Sequence, residues 1–401
     1  MTAVTTPVHP VPTFNVLERV DEYLSVFAEE EGPSDELGRL TDRAAAALRE
    51  SGVMRMLQPA AYGGFETHPS DYVRACLTIG MNNGSAGWVT GVVGVHAHEL
   101  AQTNQQLQDD VWGEDPDVWM ASPYAPQGEA RPVDGGYIFN GHWTFSSGTD
   151  HCDWVMIGGW VTDADGVNHR NDTRHFVIPR RDYEILEDSW DVMGLRGTGS
   201  KDIVIKDVFV PEYRVIDQVP IAAGTRGREV GLTNPLYSIP RQSLFSGAIS
   251  TGTIAMAAGV LAEYAKYTSG RKNVNGLAVA KDPFQLSVYG EAAADIQASI
   301  THLISDMDKM FDLAATGETV PLSARLEMRR NQGRAVARAV DAADKLFMHS
   351  GGNSLQMSAP IQRKWRDMHA GRNHISNVVE PLYMHWALDS FGLELPPHAR
   401  A

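Results

Sequence analysis

Between Trp143 and Val161 the chain reads WTFSSGTDHCDWVMIGGWV, crowding Ser146, Ser147, Asp150, His151, Cys152 and Asp153 into one short segment. Ser147, Asp150 and His151 have the side-chain types of a hydrolytic triad. Triad members, however, come from separate elements that converge in space, and no G-x-S-x-G turn surrounds either serine. Asp150, His151, Cys152 and Asp153 have metal-ligand chemistry. Consecutive residues on an extended chain alternate between faces and do not converge on one ion, so no metal site is expected. Two readings stay open: a serine-rich turn before an apolar strand, or hydroxyls at a strand end that hydrogen-bond a flat, heteroatom-rich ligand.

Other groups can also do chemistry. His96 and His98 in VGVHAHEL supply imidazoles that titrate near neutral pH, or hydrogen-bonded core histidines. Arg330, Arg334 and Arg338 form an i, i+4, i+8 stripe expected to face solvent, with a phosphate cradle at a subunit interface as the alternative. His369 reads as a helix cap.

Composition bounds the surroundings. The 401 residues are 43% hydrophobic and 21% charged, with 34 basic and 50 acidic residues and a formal net charge of −16. That balance argues against nucleic acid or an anionic membrane as the main partner. Cys76 and Cys152 are the two cysteines, too few for a disulfide framework. No basic start followed by an apolar run opens the chain, and no window is expected to approach eighteen uncharged apolar residues. A reduced, cytoplasmic protein is the expectation.

The elements that must position these residues change character twice. Residues 1–13 are rich in Pro and Thr and read as a mobile lead-in. From about Phe14 to Gln108 the signals are helical; in TDRAAAALRESG, Thr41 or Asp42 caps and Gly52 stops the helix. Between Trp112 and Val219, GGYIFNGHWTFSSG, DWVMIGGWV, RHFVIP and SKDIVIKDVFVP read as strands. After Pro240 the chain is helical again. Asp282-Pro283 opens a helix of roughly 34 residues, about 50 Å long, with Ile296, Ile300, Leu303, Met307, Phe311 and Ala314 at helical spacing. A second long helix runs from Pro321 to about Ser350, before Gly351-Gly352.

The fixed order of GWV, VGVH, VWGEDP, YAP, SSG-DH, GLRGTGS, APIQR and WRD-HAGR-H carries a resemblance covering the chain from about residue 14 onward. It resembles the acyl-CoA dehydrogenase superfamily and, within it, the oxygenase components of two-component flavin-dependent monooxygenases of the 3-hydroxy-seco-androstane and 4-hydroxyphenylacetate types. The resemblance implies an α+β fold with an N-terminal helical domain (14–110), a central β-barrel (111–220) and a C-terminal four-helix bundle (235–395). It also implies a homotetramer. The implied reaction is hydroxylation of a phenolic substrate, at the ortho position, by O2 and a reduced flavin through a C4a-hydroperoxide. The flavin, FMN or FAD, diffuses in from a separate NAD(P)H:flavin reductase. GLRGTGS has the wrong spacing for a dinucleotide fingerprint and follows no βαβ unit, so no nicotinamide site is expected on this chain.

By motif, His96 and Ser122 resemble the pair that grips the phenolic oxygen. Ser147 resembles the serine bonding flavin N5, and His374 the histidine supporting the flavin adduct. Trp143, Phe145, Ser146, Thr198, Gly199, Ser200, Arg271, Gly351 and Gly352 are implied as further flavin contacts, and Trp88, Arg241 and Ser376 as substrate contacts. A dehydrogenase needs a carboxylate to take an α-proton. Here Pro240 stands about where one family glutamate would be, and RDMHAGRNHISN has no acid after Asp367; Glu380 lies beyond the expected position. Flavin N- or S-oxygenation remains an alternative, acyl-CoA dehydrogenation a weaker one. Arg241, Ser376 and the Ala121-Ser122-Pro123 triplet depart from one or other relative. Arg241 implies either a phenol with an acidic group larger than hydroxyphenylacetate, or an arginine paired with a nearby acid and a neutral substrate.

Overall fold

The computed structural model describes residues 8–396 together with Ala399. The first helical layer holds α1 (Val16–Glu22), α2 (Leu24–Leu37), α3 (Asp42–Ser51), α4 (Pro69–Asn82), α5 (Gly84–Gly94), α6 (His96–Leu100) and α7 (Gln105–Trp112). Local signals set their ends. Thr41 accepts from the Ala44 amide at the start of α3, and Gly52 ends it at φ 77°, a left-handed conformation that glycine adopts without a Cβ penalty. Asn83 separates α4 from α5, accepting from Ala86 N while its own amide donates to Phe27 O on α2. Every residue from Asn83 to Thr103 is buried, so polar groups on α5 and α6 must find partners inside the protein.

The lead-in is tied down where it is described. Val8 N donates to Ala61 O at 2.7 Å, and His9 Nε2 lies 3.0 Å from Trp112 O. Residues 1–7, the rest of the expected mobile stretch, lie outside the described residues.

The strands β1 (Met120–Ala121), β2 (Gly128–Val133), β3 (Gly136–Ser146), β4 (Trp154–Val161), β5 (Thr173–Pro179), β6 (Glu184–Leu186), β7 (Lys201–Pro211) and β8 (Val215–Ile216) form one mixed sheet. Its order is β6-β7-β3-β2-β4-β5-β8, with β1 parallel beside β4. The layer is rolled like a barrel: Phe139 on β3 and Phe176 on β5 stack at 4.2 Å although β2 and β4 lie between their strands. At the end of β3 the register with β7 shifts between Trp143 and Ser146, and Phe145 adopts φ 64°. Such a bulge re-aims side chains.

After α8 (Gln218–Ala223) and α9 (Arg226–Glu229) come α10 (Arg241–Gly270), α11 (Pro283–Ala315), α12 (Leu322–Met348), α13 (Pro360–Arg372) and α14 (Val379–Ser390). Asp282 opens α11 by accepting from Phe284 N and Gln285 N, with Pro283 in the first turn. α10 is the axis, packed against α4, α5, α11, α12 and α13. The expectation about apolar windows fails here: α10 is long and apolar enough to cross a membrane, but 89% of its apolar window is buried inside the protein. A helix surrounded by other helices is apolar on all faces for that reason. The arginine stripe on α12 also differs from expectation. Arg334 is exposed, but Arg330 stacks 4.2 Å over Trp386 of α14 and Arg338 donates to Ser299 Oγ of α11 at 3.0 Å, because α12 is packed on both flanks.

At the crossing of α4, α5 and α10, Gly80, Gly87 and Ala255 meet, and a Cβ at Gly87 would overlap the Gly80 backbone. Gly87→Ala should therefore lower stability by about 1–3 kcal/mol, because backbone cannot rotate away. Gly290→Ala, on α11 with open space around the added methyl, should leave the melting temperature unchanged or slightly raised. Thermal melts of the two variants check this.

Candidate active site

A cavity of about 760 Å³ lies between the rolled sheet and the helices. Thr144, Phe145 and Ser147 line it from the end of β3, Leu195 and Ser200 from the segment before β7, and Ser122 to Gln127 from the stretch after β1. The helical side supplies Trp88 from α5, Arg241, Phe245 and Ile249 from α10, and Asn373 to Ser376 after α13. Among the residues lining it there is no carboxylate. Pro240 is the N-cap of α10 and Glu380 is exposed at the start of α14.

The opening segment divides at this wall. Ser147 Oγ lies 2.7 Å from Ser200 Oγ, which lies 2.7 Å from Thr198 Oγ1; that hydroxyl donates to Leu195 O at 2.7 Å. Ser147, Ser200 and the exposed ring of Phe145 reach the cavity. Trp143, Ser146, Thr198 and Gly199 stand behind it instead. The Trp143 indole is fully buried and donates to Gly158 O at 2.8 Å, so it supports the wall from within the sheet. Ser146 is buried and off the cavity wall that Ser147 lines, and Gly199 packs against Asp150 and Arg39. Asp150 pairs with Lys201 at 2.6 Å, and His151 Nε2 lies 2.9 Å from Leu40 O, giving both a structural occupation. Arg271, Gly351 and Gly352 cluster elsewhere, with Arg271 Nη1 donating to His349 O at 3.0 Å. Arg241 and Arg271 stand at opposite ends of α10, about 45 Å apart at 1.5 Å per residue, and only Arg241 borders the cavity.

The other wall carries groups able to move a proton. Ser122 lines the cavity, and His96 stands behind it with Nε2 at 2.5 Å from Ser122 Oγ. His96 Nδ1 is 2.8 Å from Tyr124 OH, which is 2.8 Å from Glu99 Oε2. Glu99 Oε1 is met by His175 Nδ1 at 2.6 Å and Gln218 Nε2 at 2.7 Å. Arg241 completes the group, with Nε 3.9 Å from Glu99 Oε2 and its guanidinium 5.0 Å over the Tyr124 ring. Burial pushes the His96 imidazole down to about 3, with the Glu99 charge opposing and His175 and Arg241 adding to the fall. Burial likewise lowers His175. Burial alone would raise Glu99, but His175, Arg241 and Gln218 outweigh it and hold the carboxyl below its usual range. The Glu99 carboxylate is thus the negative centre of the group, with His175 and the Arg241 guanidinium beside it. Tyr124 is pushed well above its ordinary value by burial and by Glu99, and stays a donor.

His374 faces this group across Phe245, whose ring centroid is 6.5 Å from His96 and 6.4 Å from His374. His374 Nδ1 accepts from Ser376 N at 3.1 Å, which leaves the proton of the neutral ring on Nε2. His369 lies 2.7 Å from Asp344 Oδ1 and is not on the cavity wall.

Sequence reasoning missed Glu99, Tyr124 and His175. A signal existed: Glu99 is a charged residue three positions after His96 inside an otherwise uncharged run, and His175 directly precedes the apolar run Phe176-Val177-Ile178.

Residues 247–378 match the C-terminal domain of the acyl-CoA dehydrogenases. The chain is 44% identical over 384 residues to a pigment production hydroxylase of Rhodococcus erythropolis, covering 95% of this chain and 98% of that one. It is 39% identical over 381 residues to the oxygenase subunit HsaA of a flavin-dependent monooxygenase of Rhodococcus jostii, covering 94% and 99%. The crystal structure of 3-HSA hydroxylase from a Rhodococcus species superposes with a TM-score of 0.90 at 38% identity, covering 96% of this chain and 98% of that one.

One buried acid ties the cavity wall to the bundle. Asp367 Oδ1 on α13 accepts from Leu195 N at 2.6 Å. Burial, together with the Glu31 and Asp35 carboxylates, pushes its carboxyl up to about 7 despite that hydrogen bond. A folded-state value above the unfolded one, about 3.9, means the stabilisation is full below about 4 and is lost as pH rises through about 7. Asp367→Asn, which stays neutral, should therefore melt increasingly above the wild type as pH is raised from 5 to 8. Melting curves across that range check it, and a constant difference would contradict it.

Proposed function

The chain belongs to the oxygenase subunits of flavin-dependent monooxygenases built on the acyl-CoA dehydrogenase fold, and from that premise we propose that it hydroxylates a phenol. The cavity suits a reduced flavin: the aromatic rings of Phe145 and Trp190 and the hydroxyls of Ser147 and Ser200 border one side, and a volume near 760 Å³ lies within the usual range for ligand sites. Ser147 is proposed to bond flavin N5, and His374 to donate from Nε2 toward the same ligand. Bound there, reduced flavin supplies, with O2, the electrophilic oxygen that the substrate takes up.

The chain's own residues do the rest. Ser122 receives the phenolic hydroxyl, and His96 takes its proton through Ser122; burial disfavours the imidazolium, and the phenolate charge forming beside it adds to that of Glu99 in offsetting this cost. The resulting phenolate is richer in electrons at its ortho and para carbons; ortho attack is proposed. Trp88 and Ser376 bound the substrate's space. The observation that carries this reading is the Ser122–His96 hydrogen bond opening on a cavity wall without a carboxylate. Dehydrogenation of an acyl thioester would need such a carboxylate, and N- or S-oxygenation would leave a base without a task.

A separate NAD(P)H:flavin reductase is the proposed partner, delivering FMN or FAD in reduced form, and the enzyme is proposed to be a cytoplasmic homotetramer. Exposed apolar side chains beside the Arg271–His349 contact, including Phe284 and Met348, support assembly. Through it Arg271, Gly351 and Gly352 could serve the flavin of a neighbouring copy. Arg241 borders the cavity, but Glu99 already balances its charge, which favours a substrate that needs no acidic group.

Phenols offered with O2 and flavin plus reductase should gain one oxygen atom by mass; with NADH and flavin but no reductase they should not. Ser147→Ala should speed the release of hydrogen peroxide relative to hydroxylation roughly two- to twelvefold, from one lost hydrogen bond of about 0.5–1.5 kcal/mol. Arg241→Met should reduce kcat/KM about equally for acidic and neutral phenols. A loss confined to the acidic phenol would restore a carboxylate-binding role.

A further inference from the structure

The hydrogen bonds behind Ser122 have a direction that donor counting sets. Tyr124 has one hydroxyl proton, and the ionised Glu99 carboxylate at 2.8 Å is the stronger acceptor than the Met156 thioether at 3.9 Å. With that proton spent, Tyr124 oxygen accepts at 2.8 Å from His96 Nδ1, so the neutral ring carries its proton on Nδ1. Nε2 then presents a lone pair, which accepts from Ser122 Oγ, and the Ser122 oxygen in turn can accept from a ligand in the cavity. The partners of Glu99 come from three further elements: His175 on β5, Gln218 on α8 and Arg241 on α10. The titratable and charged groups that face His96 are therefore Glu99, Tyr124, His175 and Arg241. His98, on its own helix, turns away to Leu236 O at 3.1 Å.

We propose that Glu99 is the positioning residue of the base, acting through Tyr124 to hold His96 as its Nδ1–H tautomer and to stabilise the imidazolium formed when a ligand's hydroxyl proton is taken. The step balances without a co-reactant: the ligand O–H proton passes to Ser122 Oγ as the Ser122 proton passes to His96 Nε2, leaving a bound oxyanion and an imidazolium. That cation donates from Nδ1 to Tyr124, which donates to Glu99. Arg241 then has a second consequence. As the counter-charge it keeps Glu99 ionised in a site closed to water, while weakening the pull of Glu99 on the imidazolium. The inference deepens the phenol hydroxylase reading and rests on it for the identity of the ligand.

The test uses flavin-free full-length protein and 4-nitrophenol, whose oxyanion is visible by absorbance. Wild-type protein should bind it with an apparent ionisation below that of the free phenol. Glu99→Gln, which removes the charge, and Tyr124→Phe, which cuts the link but leaves Glu99 with its other partners, should each raise that apparent ionisation by at least about one pH unit, a tenfold change in the proton-transfer equilibrium. Glu99→Asp, which keeps the charge, should stay closer to wild type. In turnover with reduced flavin, the rate deficit of both uncharged or unlinked variants should shrink for phenols already ionised at the assay pH. The proposal is overturned if folded variants bind 4-nitrophenol with wild-type ionisation, if the wild type binds no oxyanion, or if the deficit is the same for ionised and neutral phenols. If the ionisation shift follows Glu99 but no phenol gains oxygen, the relay stands and the assignment of the reaction falls.

Discussion

An ionised carboxylate removed from water loses a hydration energy on the order of several kcal/mol even after the protein relaxes, and its neighbours must replace it. Glu99 sits in a segment buried without interruption from Asn83 to Thr103, so every substitute for water has to come from another element. Tyr124, His175, Gln218 and Arg241 supply them from the loop after β1, from β5, from α8 and from α10. The contact of the sheet with both helical layers is thus written into one carboxylate. The orientation of His96 follows from it, because the Tyr124 proton has a single better place to go.

α10 brings this constraint to the cavity. Arg241, Phe245 and Ile249 lie at i, i+4 and i+8, on one face of the helix, and all three line the cavity. Its other faces are packed against the bundle and α4 and α5, with Gly252 close to Trp88. One rigid helix therefore sets the counter-charge of Glu99, the ring between the two histidines and the floor of the pocket. The histidines end as opposite tautomers: His374 accepts at Nδ1 from backbone and carries its proton on Nε2, while His96 donates at Nδ1 and offers Nε2 to Ser122. One side chain thus serves as a donor on the cavity wall and as an acceptor behind Ser122, according to what lies behind each ring.

The opposite wall is held by strained backbone. Phe145 and Leu195 take φ 64° and 55°, a region that costs a residue with a side chain about 1–3 kcal/mol. Leu195 N is fixed by Asp367 at 2.6 Å, and Ser147 N donates to Phe145 O at 3.0 Å. The turn at Phe145 and the register shift before it put Phe145 and Ser147 on the cavity wall while Trp143 and Ser146 are left inside the sheet.

Order of elements, helix ends such as Thr41, Gly52 and Asp282, and the identity of Ser122, His96, Ser147 and His374 as candidates were legible in the chain, because caps, periodicity and motifs are local or ordered along it. Which neighbours of those residues reach the cavity was not. The register shift after Trp143 depends on pairing with β7, so alternation along β3 could not tell Ser146 from Ser147. Arg271 and Gly351 come together only because α10 and α12 end side by side. The apolar run of α10 reads the same in a membrane or in a bundle, and only its packing against five other helices decides between them. Glu99 states the division most sharply. Its residue type and its place three positions after His96 are in the sequence, but a carboxylate is a buried anion, a surface charge or a base according to what surrounds it, and its partners lie 25 to 142 residues further along the chain.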